Sequence, residues 1–206
     1  MRLAVFASGQ GTNLKQAYEW AQGHPACAFE VGLVISNNSD SGALSFAKEK
    51  GIHWRHHSAT TCGGDPARLG EAHLEALDSH EIDFIALAGY MKRIPAEILE
   101  AYHHKILNVH PALLPSFGGG GMYGRRVHEA VLARGCKVTG ATVHFVTGDY
   151  DTGPILMQEA CAVLDDDTPE SLADRVLAIE HRIFPEAIDL VASGRVRIEG
   201  MRTIIG

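Results

Sequence analysis

An open, mostly parallel, doubly wound α/β sheet with an antiparallel C-terminal portion is the fold this sequence predicts, and three observations predict it. Short apolar runs alternate with helix-like segments through the first part of the chain. Several of those runs are apolar at every position, as strands covered on both faces are. The later part changes character, with two strand-like runs joined by a turn-rich loop.

The elements follow in order. Residues 2–8 form an apolar run that ends in the turn Ser8-Gly9-Gln10-Gly11-Thr12-Asn13, and 13–22 carries Leu14, Ala17 and Ala21 at helical spacing. A second run, 29–36, ends at Asn37-Asn38-Ser39-Asp40-Ser41, which is turn chemistry leading into a helix over 42–50. A short strand is expected at 52–55, and Asp65-Pro66 opens a helix reaching about 79. The runs 84–88 and 105–110 read as buried strands. Thr139 to Val146 and Ile155 to Val163, separated by the loop 147–154, read as antiparallel neighbours. Asp167 is the expected N-cap of a last helix, with Pro169 in its first turn and Glu170 three residues on. Leu172, Val176, Ile179, Ile183, Ala187 and Leu190 then form one apolar stripe. Pro185 either kinks that helix or divides it.

Composition narrows the class. With 206 residues, 46% apolar and 21% charged, the chain can bury one sizeable core, so a single domain over 1–206 is expected. Net charge is −7, from 18 Lys and Arg against 25 Asp and Glu, and the longest basic tract is Arg125-Arg126, which argues against a nucleic-acid partner. No apolar run approaches the roughly 20 residues of a bilayer span. The apolar N-terminus runs straight into a glycine turn and reads as a strand, not a signal peptide. Cys27, Cys62, Cys136 and Cys161 are scattered without a Cys-x-x-Cys pair, so reduced thiols and a cytoplasmic location are expected.

The first candidate site is the turn 8–13. Glycines admit close approach of the backbone, and helix-start N–H groups attract an anion. Leu14 stands where the dinucleotide fingerprint needs a third glycine, and no Gly-Lys-Ser/Thr follows, so one phosphate is the fitting ligand. The plainer reading is a tight strand-to-helix turn capped by Thr12 or Asn13. The second site is Leu107-Asn108-Val109-His110-Pro111. Alternation places Asn108 and His110 on one face, and Pro111 ends regular pairing at the carboxyl edge of the strand, where open α/β sheets bind ligands. Asn108 can donate to an oxyanion and His110 can exchange a proton near neutral pH; a core histidine beside a turn asparagine is the alternative. The third is Asp151-Thr152-Gly153-Pro154. Taken alone these are turn residues, but folded over His110 the aspartate would favour the imidazolium and raise the histidine's pKa. Twelve histidines show no metal-ligand spacing, so they read as solvated surface groups and no metal is expected. Asp165-Asp166-Asp167 reads as an acidic helix start, and the absence of Gly-x-Ser-x-Gly excludes the α/β-hydrolase elbow.

The turn Ser8 to Leu14, the strand end Asn108 to Pro115, and His144-Phe145-Val146 running to Asp151-Thr152-Gly153-Pro154 resemble the folate-dependent phosphoribosylglycinamide formyltransferases, with Leu87 to Met91 and Glu180-His181 also fitting. The resemblance implies their Rossmann-like formyltransferase fold, with an N-terminal half for the phosphate and a C-terminal half for folate and catalysis. It implies transfer of the formyl group of 10-formyltetrahydrofolate to glycinamide ribonucleotide in purine synthesis, through a tetrahedral intermediate. By the same resemblance Gly11, Thr12 and Asn13 hold the phosphate and Glu180 approaches the ribose. Met91, Lys92, Arg93, Ile94, Asn108 and the loop 147–151 line the pterin pocket. Arg68 is implied for the glutamate tail, although the spacing around it departs from the commonest pattern by a small gap. Asn108 and His110 stabilise the tetrahedral oxygen, and Asp151 keeps His110 charged. A homodimer is left open. Where many members carry Pro-Gly-Leu-His-Thr-His, this chain has Gly118 to Gly121 followed by Met122-Tyr123-Gly124, read as a mobile loop without chemistry. Two enzymes of the same fold are alternatives. A formyltetrahydrofolate deformylase would carry a second histidine where Pro111 stands, and a methionyl-tRNA formyltransferase would carry a basic C-terminal extension. A noncatalytic nucleotide-binding module would leave Asn108 and His110 unexplained.

Overall fold

The computed structural model describes all 206 residues, and the chain forms two compact units, Met1–Leu107 and Asn108–Gly206. The fold is the open, mostly parallel α/β sheet that the sequence predicts, with antiparallel strands towards the C-terminus.

The first unit alternates β1 (Arg2–Phe6), α1 (Thr12–Gly23), β2 (Glu30–Ser36), α2 (Gly42–Lys50), β3 (His53–His56), α3 (Pro66–Ser79), β4 (Phe84–Leu87) and α4 (Ala96–Ala101). Its strands lie in the order β3-β2-β1-β4, all parallel. Leu3, Ala4, Val5, Phe6 and the whole of Phe84–Leu87 are buried, which is why these runs carry no polar alternation. The turn after β1 is shaped by Gly11, which adopts φ +69° as the N-cap of α1, and a Cβ there would lie 2.9 Å from the Cα of Ala43. No side chain caps α1, so neither Thr12 nor Asn13 has the capping role open to it in the sequence. Ser41 and Asp65 cap α2 and α3 through the N–H groups of Leu44 and Ala67.

The second unit holds the functional end of β5 (Ile106–His110), then α5 (Arg125–Ala133), β6 (Val138–Phe145), β7 (Ile155–Ala162), α6 (Pro169–Ala192), β8 (Val196–Glu199) and β9 (Arg202–Ile205). β6 and β7 pair antiparallel as expected, and β8–β9 is an antiparallel hairpin. Two details differ from expectation, and one alternative left open is resolved. Thr168, not Asp167, is the N-cap of α6, in a capping box with Ser171. Asp167 is drawn off by the guanidinium of Arg175, which it binds at 2.7 and 2.9 Å. Pro185 lies inside an undivided α6. The histidines are not all solvated: His73, His110, His128 and His144 are buried.

Candidate active site

Alternation along β5 does what the sequence implies. Leu107 and Val109 are buried on one face, and His110 is buried beside the half-buried Asn108 on the other. The segment that follows is pinned by a polar network centred on the buried Thr142. The hydroxyl of Thr142 on β6 donates to the Ala112 carbonyl at 2.6 Å and accepts the Leu114 N–H at 3.0 Å. Gln158 on β7 donates to the same hydroxyl and to the Leu114 carbonyl, both at 2.9 Å. The Thr142 hydroxyl is fully engaged, so the network stiffens the backbone that leaves His110.

From that anchor the chain turns back onto the site. Phe117 takes φ +55°, and its carbonyl accepts the His110 Nε2–H at 2.8 Å. Gly118 packs where a Cβ would meet Leu114 Cδ2 at 2.6 Å and Asp151 Cβ at 3.1 Å. Gly119 donates its N–H to Asp151 Oδ2 at 2.9 Å. Asp151 itself sits at φ +57°, a conformation that costs a non-glycine residue free energy and gathers at functional loops. Its carboxylate bridges two imidazoles: Oδ2 lies 3.6 Å from His110 Nδ1 and Oδ1 lies 3.5 Å from His144 Nε2. The glycine segment is therefore part of the site's construction, where the sequence suggested a mobile loop beside the substrate with no chemistry of its own.

His144 is the member that sequence reasoning left without a role. Its Nδ1 donates to the Phe145 carbonyl at 2.9 Å, which makes Nε2 the acceptor of the neutral ring. That nitrogen takes an amide hydrogen from Asn108 Nδ2 at 3.1 Å. One of the two Asn108 hydrogens is thus spent on holding the side chain, and the other is left for a ligand. The position of His144 in the quoted motif was the available signal, but its partner is 36 residues away in sequence.

Electrostatics correct one expectation. Burial pushes the His110 pKa down, and although Asp151 and the Phe117 carbonyl both pull it up, the net shift is downward. Asp151 acts in the expected direction and is outweighed. Burial likewise works to raise the Asp151 carboxyl, but the neighbouring His144 and His110 rings and the Gly119 N–H together hold it below the usual carboxylate range. The free site is accordingly a neutral imidazole beside a carboxylate.

The remaining candidates divide between the units. In the first, Gly11, Thr12 and Asn13 form the turn into α1, with Gly11 and Asn13 buried. Ser8 ties this turn to the segment after β4: its hydroxyl donates to Asn37 Oδ1 at 2.5 Å and accepts the Met91 N–H at 2.8 Å. Met91, Lys92 and Arg93 are exposed and Ile94 is buried. Arg68 is exposed in the first turn of α3, 4.0 Å from Asp65. In the second unit Glu180 is buried on α6. No three His, Cys, Asp or Glu side chains group as metal ligands would.

Comparison with known proteins sets this geometry in context. Residues 1–188 match the formyl transferase family. The chain is 40% identical over 200 residues to the chloroplastic phosphoribosylglycinamide formyltransferase of Arabidopsis thaliana, covering 95% of this chain and 67% of that protein. It is 41% identical over 199 residues to the trifunctional purine biosynthetic protein adenosine-3 of Bos taurus, of which it spans 19%. Among solved structures it resembles glycinamide ribonucleotide transformylase 1 from Symbiobacterium toebii, with a TM-score of 0.92, 40% identity, and coverage of 100% of this chain and 93% of that one.

Proposed function

The chain belongs to the formyl transferase family, and from that premise we propose that it transfers the formyl group of 10-formyltetrahydrofolate to the amine of glycinamide ribonucleotide, a step of purine synthesis. The observation that carries the reading is the cluster of Asn108, His110 and Asp151, linked through His144 at the carboxyl end of β5. The names of the relatives that match over nearly the whole chain support the choice of acceptor.

The chemistry asks for three things: charge stabilisation at the formyl oxygen, removal of a proton from the attacking amine, and delivery of one to the departing folate nitrogen. Asn108 meets the first with the amide hydrogen that His144 leaves unspent. His110, neutral through burial, takes the proton the attacking amine loses, Asp151 favouring the imidazolium, and passes it to the departing folate nitrogen. The carboxylate's part is to make protonation of His110 accessible during the reaction, not to keep the ring charged beforehand. In the free protein Phe117 occupies the Nε2–H. The glycine segment therefore yields that hydrogen bond when the ring serves the substrate. No nucleophile forms a covalent intermediate; the amine attacks the formyl carbon directly.

Binding roles are assigned by unit. Gly11, Thr12 and Asn13 hold the phosphate, supported by the left-handed glycine and the helix start it caps. Glu180 serves the ribose. The segment Met91 to Ile94 and the loop 147–151 serve the pterin, and Arg68, exposed as it is, serves the glutamate tail. No helix is long and apolar enough to cross a membrane, and four cysteines that form no disulfide support a reducing, cytoplasmic compartment.

The test is folate release from 10-formyltetrahydrofolate with and without glycinamide ribonucleotide. Release that requires the ribonucleotide is expected. Release in both cases would make the protein a deformylase, and release in neither would leave only a binding module.

A further inference from the structure

The first unit carries a second concave surface, away from the turn 8–13 in sequence and built on different elements. Along β3, an edge strand, a cleft of about 550 Å³ is lined by Lys48, His53, Trp54, Arg55, His56 and the backbone at Gly51. That volume lies within the range of small-molecule sites. In a chain of net charge −7, no carboxylate lines it.

Its two cations both lie against Trp54. Lys48 Nζ lies over the Trp54 ring, 4.4 Å from the centroid, and Arg55 Nη1 donates to the Trp54 carbonyl at 2.9 Å. Neither side chain has a carboxylate partner; the nearby Glu49 pairs with Lys50 at 2.9 Å. Charged side chains on an edge strand have a common purpose, which is to discourage pairing with other chains, and Arg55 over a backbone carbonyl fits it. Trp54 does not. A large ring 38% exposed on an edge works against that purpose. A flat indole beside two unpaired cations is instead what recognises a base and a phosphate together.

We propose that the β3 cleft binds a nucleoside monophosphate, with Trp54 stacking on the base and Lys48 and Arg55 holding the phosphate. This site is separate from the phosphate turn at Gly11 to Asn13, and it does not rest on the formyl-transfer reading.

The experiment is an amide NMR titration of the full ¹⁵N-labelled chain with AMP, with adenosine, and with inorganic phosphate. AMP is expected to shift the amides of Gly51 to His56 and the Trp54 indole N–H in a saturable way. Adenosine or phosphate alone should shift the same signals at least about tenfold more weakly. Trp54→Leu, and Lys48→Gln combined with Arg55→Gln, should each weaken AMP by at least about tenfold while the other resonances stay in place. Three results would overturn the proposal: no shifts in β3 at about 10 mM AMP, shifts confined to Gly11–Asn13, or adenosine or phosphate binding as tightly as AMP.

Discussion

Asp151 joins His110, His144 and Gly119, and its side chain can be tested apart from its backbone. Its charge pulls the His110 pKa up against burial, which pulls it down. Asp151→Asn keeps the shape and removes the charge, so the His110 pKa should fall further below its usual value. Turnover should fall by about 10²–10³, the scale of losing one stabilising group for a developing oxyanion. Imidazole NMR titration of the variant checks the first part. A His110 pKa that rises or stays fixed would show that the carboxylate does not act on the ring. How the site was read also differs residue by residue. Asn108 and His110 are legible because a strand's alternation and the following proline place them without knowledge of the fold. Asp151 is legible only as a turn residue until a resemblance gives it a role. Phe117 and Gly119 act through backbone atoms, which no side-chain pattern announces.

Two elements hold the carboxyl end of β5 in place, and each offers a substitution whose effect follows from its contacts. Thr142→Val on β6 removes a buried hydroxyl and leaves the Leu114 N–H without its partner. The expected loss is about 2–3 kcal/mol, read from urea unfolding; a loss under about 0.5 kcal/mol would mean the network relaxes. Gly118→Ala puts a methyl group against Leu114 Cδ2 and Asp151 Cβ. The leucine tip can move, but Asp151 must give way, so turnover should drop about ten- to hundredfold with folding kept. Unchanged turnover would separate the glycine segment from the chemistry. The same scale explains which elements the sequence concealed. Continuous apolar runs mark β1, β2 and β4 plainly. The helix α5 escapes notice because His128 occupies one of its buried positions between Val127 and Val131, which breaks the apolar stripe. The cap of α6 is misplaced because Arg175, eight residues on, engages the carboxylate that would otherwise cap it.

Across the whole molecule, buried histidines make the fold acid-sensitive. Partial burial lowers the pKa of His57 to about 4, and burial also lowers those of His73, His110 and His128. Above the unfolded value near 6.5 both states are neutral and the stability is intact. As the pH falls from there, the unfolded chain takes up protons that the folded chain refuses, so stability declines down to the folded pKa. For the half-buried His57 the window runs from 6.5 to about 4, on the order of 1–2 kcal/mol once solvent screening is allowed for. The urea midpoint should therefore be clearly lower at pH 4.5 than at pH 7.5, and His57→Phe should flatten that decline. A midpoint that does not change between the two pH values would contradict the burial argument. Composition alone pointed towards solvated histidines, because the count of a titratable residue says nothing about which copies are enclosed.

The central claim is that Asn108, His110 and Asp151 move a formyl group to an amine. Single-turnover NMR with a ¹³C-formyl donor and glycinamide ribonucleotide follows that group directly. The account predicts that the label appears as the N-formyl amide of the ribonucleotide, at a rate that His110→Ala lowers by about 10²–10³. Label recovered as formate, or transfer at an undiminished rate in His110→Ala, would contradict it.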